Sequence, residues 1–409
     1  MTSRTSQTGG SPTLNIGIIG LGGGASDMVP AFVNHPNVNV MAAADIDQGQ
    51  LDKFTQEFPG SNTYHDAVDL CANPNVHLVY IATPNRFHTP HVLAALDRKK
   101  HVLVEKPMTL ELEEALALAE AADKAGVHLA VNVKHSFEPR VQRVRQMVKT
   151  GELGRLLMMN YWYYADWLYR PRTTEELTAE LGGGVTWRQG PHQLDILRTI
   201  GGGRVRSLKA MSGIWDKGRP VVAAHSVFLD FEDGAAATAV YDGYDHFNSR
   251  EFTFGVEGNP PDPKNHAQAR RGQARFATKA DEDAQKAAGR YSGAPAQGAA
   301  PGQREDPGRS SAWVLGGPLI VSFEHGDVRL TTNGLEVYGD EERWSIDVPV
   351  EQDGRHRIVQ NLYDAAVHDK RPVNDGRWGV ATLEVLLAIK QSGEERKEVF
   401  LSHQVEIDD

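Results

Sequence analysis

The chain has almost no cysteine, no long apolar run and no surplus of positive charge, and each shortage removes a class of function. Cys71 is the lone cysteine among 409 residues, so no disulfide can form within the chain and a reducing, cytoplasmic setting is expected. No apolar stretch reaches the roughly 20 residues that a bilayer-spanning helix needs, so no membrane partner is expected. The 43 Lys+Arg are outnumbered by 54 Asp+Glu, for a net charge of −11. A general nucleic-acid binder needs a basic face instead, so small-molecule work is favoured. The 16 histidines show neither HExxH nor cysteine-pair spacing, and no metal site is expected. Residues 1–12 are rich in Ser, Thr and Gly without an apolar centre, and read as a disordered tail rather than a signal peptide.

What is present begins with Leu14 to Ile19, a short apolar run with the composition of a buried parallel strand. It leads into Gly20-Leu21-Gly22-Gly23-Gly24-Ala25, a G-x-G-x-x-A pattern. Gly20 would permit the tight turn, Gly22 to Gly24 would let backbone N–H groups approach a pyrophosphate, and Ala25 would let the next helix lie close on the sheet. Alone the pattern is weak. Here a second strand, Val38 to Ala44, ends in Asp45, 25 residues beyond Gly20 and about where a carboxylate meets the adenosine ribose hydroxyls. Asp47 follows and no Arg or Lys is adjacent, so NAD is expected rather than NADP.

Helical and strand patterns keep alternating through Val76 to Ile81 and Val102 to Val104, which implies a doubly wound parallel sheet. Ligands bind such sheets at the carboxyl ends of the strands. Thr83, Pro84, Asn85 and His88 follow one such end, and Glu105-Lys106-Pro107 follows another, so all should face the cofactor. Side chains alternate along a strand, so Glu105 and Lys106 should point to opposite sides. Thr109 resembles an N-cap for a helix to about Ala125. The alternation ends near residue 130, after which strand patterns dominate. The expected domains are 13–133, binding the dinucleotide, and 134–409, an α+β unit with a large, mostly antiparallel open sheet. Residues 259–311, rich in Pro, Gly, Ala and Gln, read as a partly flexible insertion, with a polar helix over Ala267 to Ala288. Two final helices, Arg355 to His368 and Trp378 to Gln391, could pack back on the first domain.

Together, Gly20-Leu21-Gly22, Ala44-Asp45, Ala82-Thr83-Pro84-Asn85 with His88, and Glu105-Lys106-Pro107 resemble the signature set of the glucose-fructose oxidoreductase, inositol dehydrogenase and MocA family. That resemblance implies a Rossmann domain followed by an open sheet whose outer face forms a subunit interface, hence a homo-oligomer, dimer or tetramer. It also implies that Lys106 lies beside the nicotinamide and assists proton transfer. Independently, a desolvated lysine near a cationic nicotinamide would have its pKa lowered toward the acid/base working range.

The stretch from Leu181 to Asp195 resembles the family's second catalytic motif, with His192 as its histidine. Arg188 stands where many sugar-oxidising members carry aspartate; it cannot act as a base but can clamp a carboxylate with two parallel hydrogen bonds. Asp195 could orient His192 from the next helical turn. Asp166 to Arg172 is aromatic and arginine-rich, and reads either as a solvated loop or interface, or as a pocket for a flat anion using Arg170 and Arg172. With Trp215-Asp216 and Tyr241 to Phe247, it resembles the phthalate 4,5-cis-dihydrodiol dehydrogenase branch of the family.

The activity this implies is NAD-dependent oxidation of an anionic cyclic diol, a cis-dihydrodiol dicarboxylate, to the aromatic catechol. Lys106 and His192 would be catalytic, and either could accept the hydroxyl proton. Arg188, Arg170, Arg172 and His135 would join them around the substrate. The alternatives are a sugar, inositol or glycoside dehydrogenase, and a non-catalytic dinucleotide-sensing regulator.

Overall fold

The computed structural model describes residues 11–253, 266–273, 275–288, 290–291, 317–331, 333–349 and 352–408. Residues 1–10 of the expected tail, and most of the expected loop from Gly289 to Arg309, lie outside the described residues.

Six strands form the first sheet: β1 (Leu14–Ile19), β2 (Val38–Ala44), β3 (Asn62–Tyr64), β4 (Leu78–Ile81), β5 (His101–Val104) and β6 (Leu129–Val131), in the order β3-β2-β1-β4-β5-β6. All its pairings are parallel. The order reverses on either side of β1, and this switch point opens the crevice in which a doubly wound sheet takes its ligand. Connecting helices α1 (Gly23–Asn34), α2 (Gln48–Glu57), α3 (Ala67–Ala72), α4 (His88–Asp97) and α5 (Leu112–Ala125) cover the two faces. Strands buried on both sides need no alternation, which is why β4 and β5 read as plain apolar runs. The N-cap of α5 is Glu111, not Thr109, whose hydroxyl instead donates to the Glu111 carbonyl at 2.8 Å. Glu113 and Glu114 still occupy the first turn, where they favour the helix dipole.

The second domain opens with helix α6 (Pro139–Thr150), which buries Val141, Val144 and Met147, and strand β7 (Leu156–Tyr164). Helices α7 (Val185–Arg188) and α8 (Gly190–Ile200) precede β8 (Val205–Gly213), β9 (Ala224–Phe231) and β10 (Ala236–Asp242). Beyond α9 (Gln268–Gln273) and α10 (Lys279–Ala288) come β11 (Leu319–Phe323), β12 (Gly326–Leu330), β13 (Gly334–Gly339) and β14 (Arg343–Asp347). Helices α11 (Gly354–His368) and α12 (Gly376–Glu395) and the short β15 (Val399–Phe400) close the chain. Nine strands join in the order β14-β13-β12-β11-β7-β10-β9-β8-β15, and only β7 with β10 is a parallel pair. The strand-like stretch Phe252 to Val256 begins within a 3-10 turn, Ser249–Thr253, and its remainder lies outside the described residues.

Both final helices touch the first domain. Ile358, Val359, Leu362 and Tyr363 of α11 share a core with β1 and α1. Helix α12 lies between α5 and β6 on one side and α8 and β8 on the other, so the two sheets are welded along a common apolar seam. The second sheet's inner face buries Met159, Tyr161, Val227 and Leu229, while its outer face leaves Met158, Trp162, Met211 and Phe228 in solvent. Among the described residues no helix is long and apolar enough to cross a membrane, and no cluster of potential metal ligands occurs.

Candidate active site

The glycine turn is held from two directions. Gly20 has φ +92°, and a Cβ there would stand 2.9 Å from the Ala82 carbonyl oxygen, so the β1–α1 turn admits only glycine at that point. The Asp45 carboxylate accepts from the Leu21 amide at 2.7 Å and from the Asp47 amide at 2.9 Å, which fixes it at the end of β2 facing the turn. Asp47, rather than Asp45, caps α2. A cleft lobe of about 380 Å³ runs from Asp45 past Gly20 and Gly22 to Thr83 and Pro84. It joins a lobe of about 980 Å³ that contains Gly22 to Gly24, Glu105, Lys106 and Arg188. A bare turn backed by a carboxylate, opening on a strand-end crevice, fits an adenosine-containing dinucleotide. Gly20→Ala should therefore raise the Kd for NAD at least about tenfold through displacement of this turn, measured by titration calorimetry.

Glu105 and Lys106 diverge, as alternation requires. Glu105 turns into the first domain, where its carboxylate accepts from the Tyr80 hydroxyl at 2.6 Å and the Asn132 amide at 2.5 Å. Lys106, joined to Pro107 by a cis peptide bond, turns across the cleft and donates to the main-chain carbonyl of Arg188 at 2.8 Å. Desolvation, aided by the Arg188 and Lys134 charges and opposed by Glu105, pulls its ammonium pKa from 10.5 down to about 8.

His88 proves to be scaffold. Its Nδ1 lies 2.9 Å from the Pro107 carbonyl and its Nε2 2.9 Å from the Thr83 carbonyl, so it staples the two strand-end loops together and has no nitrogen left for a cofactor. Thr83, Pro84 and Asn85 do line the cleft, and the buried Asn85 Nδ2 lacks a protein partner.

From the second domain, the turn at Gly182 to Gly184 sets α7 and α8 against the cleft. Gly184 has φ +93° and would place a Cβ 2.6 Å from the Val222 carbonyl. His192 stands at the start of α8 with its ring edge against His135, centroids 4.2 Å apart. Burial, together with Lys106, His135 and Lys134, holds its pKa well below the usual histidine range. The same burial and neighbouring cations keep His135 neutral. Asp195 does not orient His192, as the sequence had suggested. Its carboxylate turns away to Trp378 Nε1 at 2.6 Å and Thr382 at 3.1 Å on α12, and His192 Nδ1 has no hydrogen-bond partner.

The three arginines differ. Arg172 is buried and spent inside the protein, donating to the Trp167 carbonyl at 2.8 Å and Glu176 at 2.9 Å with its guanidinium over the Trp167 ring; this removes it from the expected substrate contacts. Arg170 is half exposed and pairs with Asp166 at 3.0 Å. Arg188 is the one held in reserve: its Nε has no partner, and its closest carboxylate, Glu175, stands 3.9 Å away and also holds an unpartnered oxygen. Glu175 and Glu176, which line the cleft beside it, went unnoticed in the sequence because only the fold brings them opposite Lys106.

Comparison with known proteins places this arrangement. A family model described as "Oxidoreductase family, NAD-binding Rossmann fold" matches residues 14–133, and one described as "GFO/IDH/MocA C-terminal domain" matches residues 141–258. The 1-carboxy-3-chloro-3,4-dihydroxycyclohexa-1,5-diene dehydrogenase of Comamonas testosteroni is 34% identical over 93% of this chain and 95% of its own length. The chain belongs to the GFO/IDH/MocA oxidoreductase family. As a member it is an NAD-dependent dehydrogenase, which sets aside the non-catalytic reading. A solved structure from Bordetella bronchiseptica RB50 is 33% identical, with TM-score 0.84 over 95% of this chain and all of the other. An Agrobacterium radiobacter oxidoreductase solved with NAD+, L-tartaric acid and magnesium shares the fold at 18% identity, TM-score 0.70, over 95% of this chain and 98% of that one.

Proposed function

We propose that this dehydrogenase oxidises a ring-carboxylated cyclohexadiene cis-diol to the corresponding catechol. The observation that carries the reading is Arg188, an incompletely paired guanidinium facing the same cleft as Lys106. A planar fork with a free Nε suits a carboxylate on a flat ring, and the Comamonas relative is named for a carboxylated dihydroxycyclohexadiene. With Arg172 spent, one carboxylate is matched firmly, and a second, as in phthalate-type diols, would fall to the half-exposed Arg170. A sugar or inositol ring offers Arg188 no anion.

Bound NAD supplies the hydride acceptor. Lys106, neutral in part at physiological pH, takes the hydroxyl proton as the carbinol hydrogen leaves, with the Arg188 carbonyl keeping its amine aimed across the cleft. His192, neutral and beside it, hydrogen-bonds the second hydroxyl or relays the proton. The ketone formed enolises to an aromatic ring, which draws the reaction forward. Oxidised products of benzene, benzoate and phthalate cis-diols, followed by NADH absorbance against a polyol panel, test the reading: turnover of polyols alone would sink it.

The pH profile follows from the same geometry. Only the free amine can act as base, so kcat/KM for oxidation should rise with pH through an inflection near 8, the Lys106 value, and level off above it. An inflection confined to acid pH would instead make His192 the base. The apolar outer face carrying Met158, Trp162, Met211 and Phe228 supports self-association through the second sheet.

A further inference from the structure

Helix α10 and the two described residues just beyond it, Arg290 and Tyr291, reach from the second domain to the first. Helix α10 is fixed to the second domain at Glu282, whose carboxylate is buried and accepts from Arg219 Nη2 at 2.7 Å and from the Arg172 amide at 2.8 Å. Just beyond the helix, Tyr291 is buried in the first domain: its ring lies 6.3 Å from that of Phe54 and its hydroxyl donates to Glu57 on α2. Arg290 sits immediately before this second anchor. Its side chain is 42% exposed, and its ion pair with Asp47 is stretched to 4.0 Å.

Arg290 lines both lobes of the cleft, together with Gly22, Thr83 and Pro84. The lobe with Asp45 takes the adenosine half of the cofactor and the lobe with Lys106 takes the nicotinamide half, so residues common to both lobes border the diphosphate that joins them. We propose that Arg290 binds this diphosphate, opposite the amides of the glycine turn. The N-terminal end of α1 offers hydrogen-bond donors and a partial positive charge from one side; a guanidinium fork from the other side adds charge-assisted bonds to phosphate oxygens. The Tyr291 anchor is the positioning contact that keeps the arginine at the junction. The cofactor site is thus completed by the substrate domain rather than by the Rossmann domain alone.

The test is binding without substrate, so it stands apart from the identity of the diol. Titration calorimetry of the full chain with NAD, ADP and adenosine should show Arg290→Ala raising the Kd for NAD and for ADP about tenfold while leaving adenosine unchanged, and Arg290→Lys should recover part of the loss. Unchanged NAD and ADP affinities would overturn the proposal. Equal weakening of adenosine would also overturn it, by making the effect one of packing.

Discussion

Lys106→Ala is expected to lower kcat by about 10² to 10⁴-fold, the range that a positioned general base contributes, with little change in the Kd for NAD. The prediction rests on three features at one atom. The amine lies at a strand end beside the cofactor crevice, its pKa is drawn to about 8, and a hydrogen bond to the Arg188 carbonyl aims it across the cleft. Glu105, one residue earlier, makes the contrast: its carboxylate is occupied by Tyr80 and Asn132, so its replacement should unsettle the strand-end loops before it touches proton transfer. Single-turnover NADH formation with saturating cofactor separates the two effects. A Lys106→Ala enzyme whose rate stays within a few-fold of normal would transfer the role to His192, and Lys106→Ala with His192→Ala would then show the large loss.

Arg188→Met should reduce kcat/KM for a carboxylated diol by about 10²-fold, equivalent to the loss of one or two charge-assisted hydrogen bonds. Two things add to the effect. The methionine preserves bulk but leaves Glu175 without its nearby cation, while Glu176 keeps Arg172, so the cleft wall facing the substrate carboxylate becomes more negative. Burial already disfavours the Arg188 charge, and an anionic ligand would relieve that cost in the native enzyme. The decisive comparison is a diol without a carboxylate. Its kcat/KM should be unchanged or improved; an equal fall for both substrates would mean that the side chain supports the turn and clamps nothing.

The contrast between the two halves shows what a linear chain discloses. The Rossmann half was readable because its function is written in neighbours: Gly20, Asp45, Thr83 and Lys106 follow strands in fixed order, and the sheet places every strand end on one edge. The second half disclosed one motif, the stretch that carries His192, and around it mostly composition. Arg188, Arg170 and Arg172 are equivalent as letters, yet one is barely paired, one pairs at the surface and one is sealed against Trp167. What separates them is the position of glutamates and carbonyls supplied by other loops. Asp195 failed for the same reason: helical spacing gives its face, but Trp378 and Thr382 arrive from nearly two hundred residues away to claim it. His88 matched a motif for cofactor contact, whereas burial and two carbonyls made it a brace.

The partner of the Lys106 amine is a main-chain oxygen, and that separates two roles within one residue. The contact with Lys106 is made by the main chain of residue 188 and not by its side chain. An exchange of side chain at position 188 that keeps the local backbone therefore keeps the oxygen that Lys106 meets. The side chain that faces the cleft and the oxygen that holds the amine thus belong to one residue, yet one can change without the other.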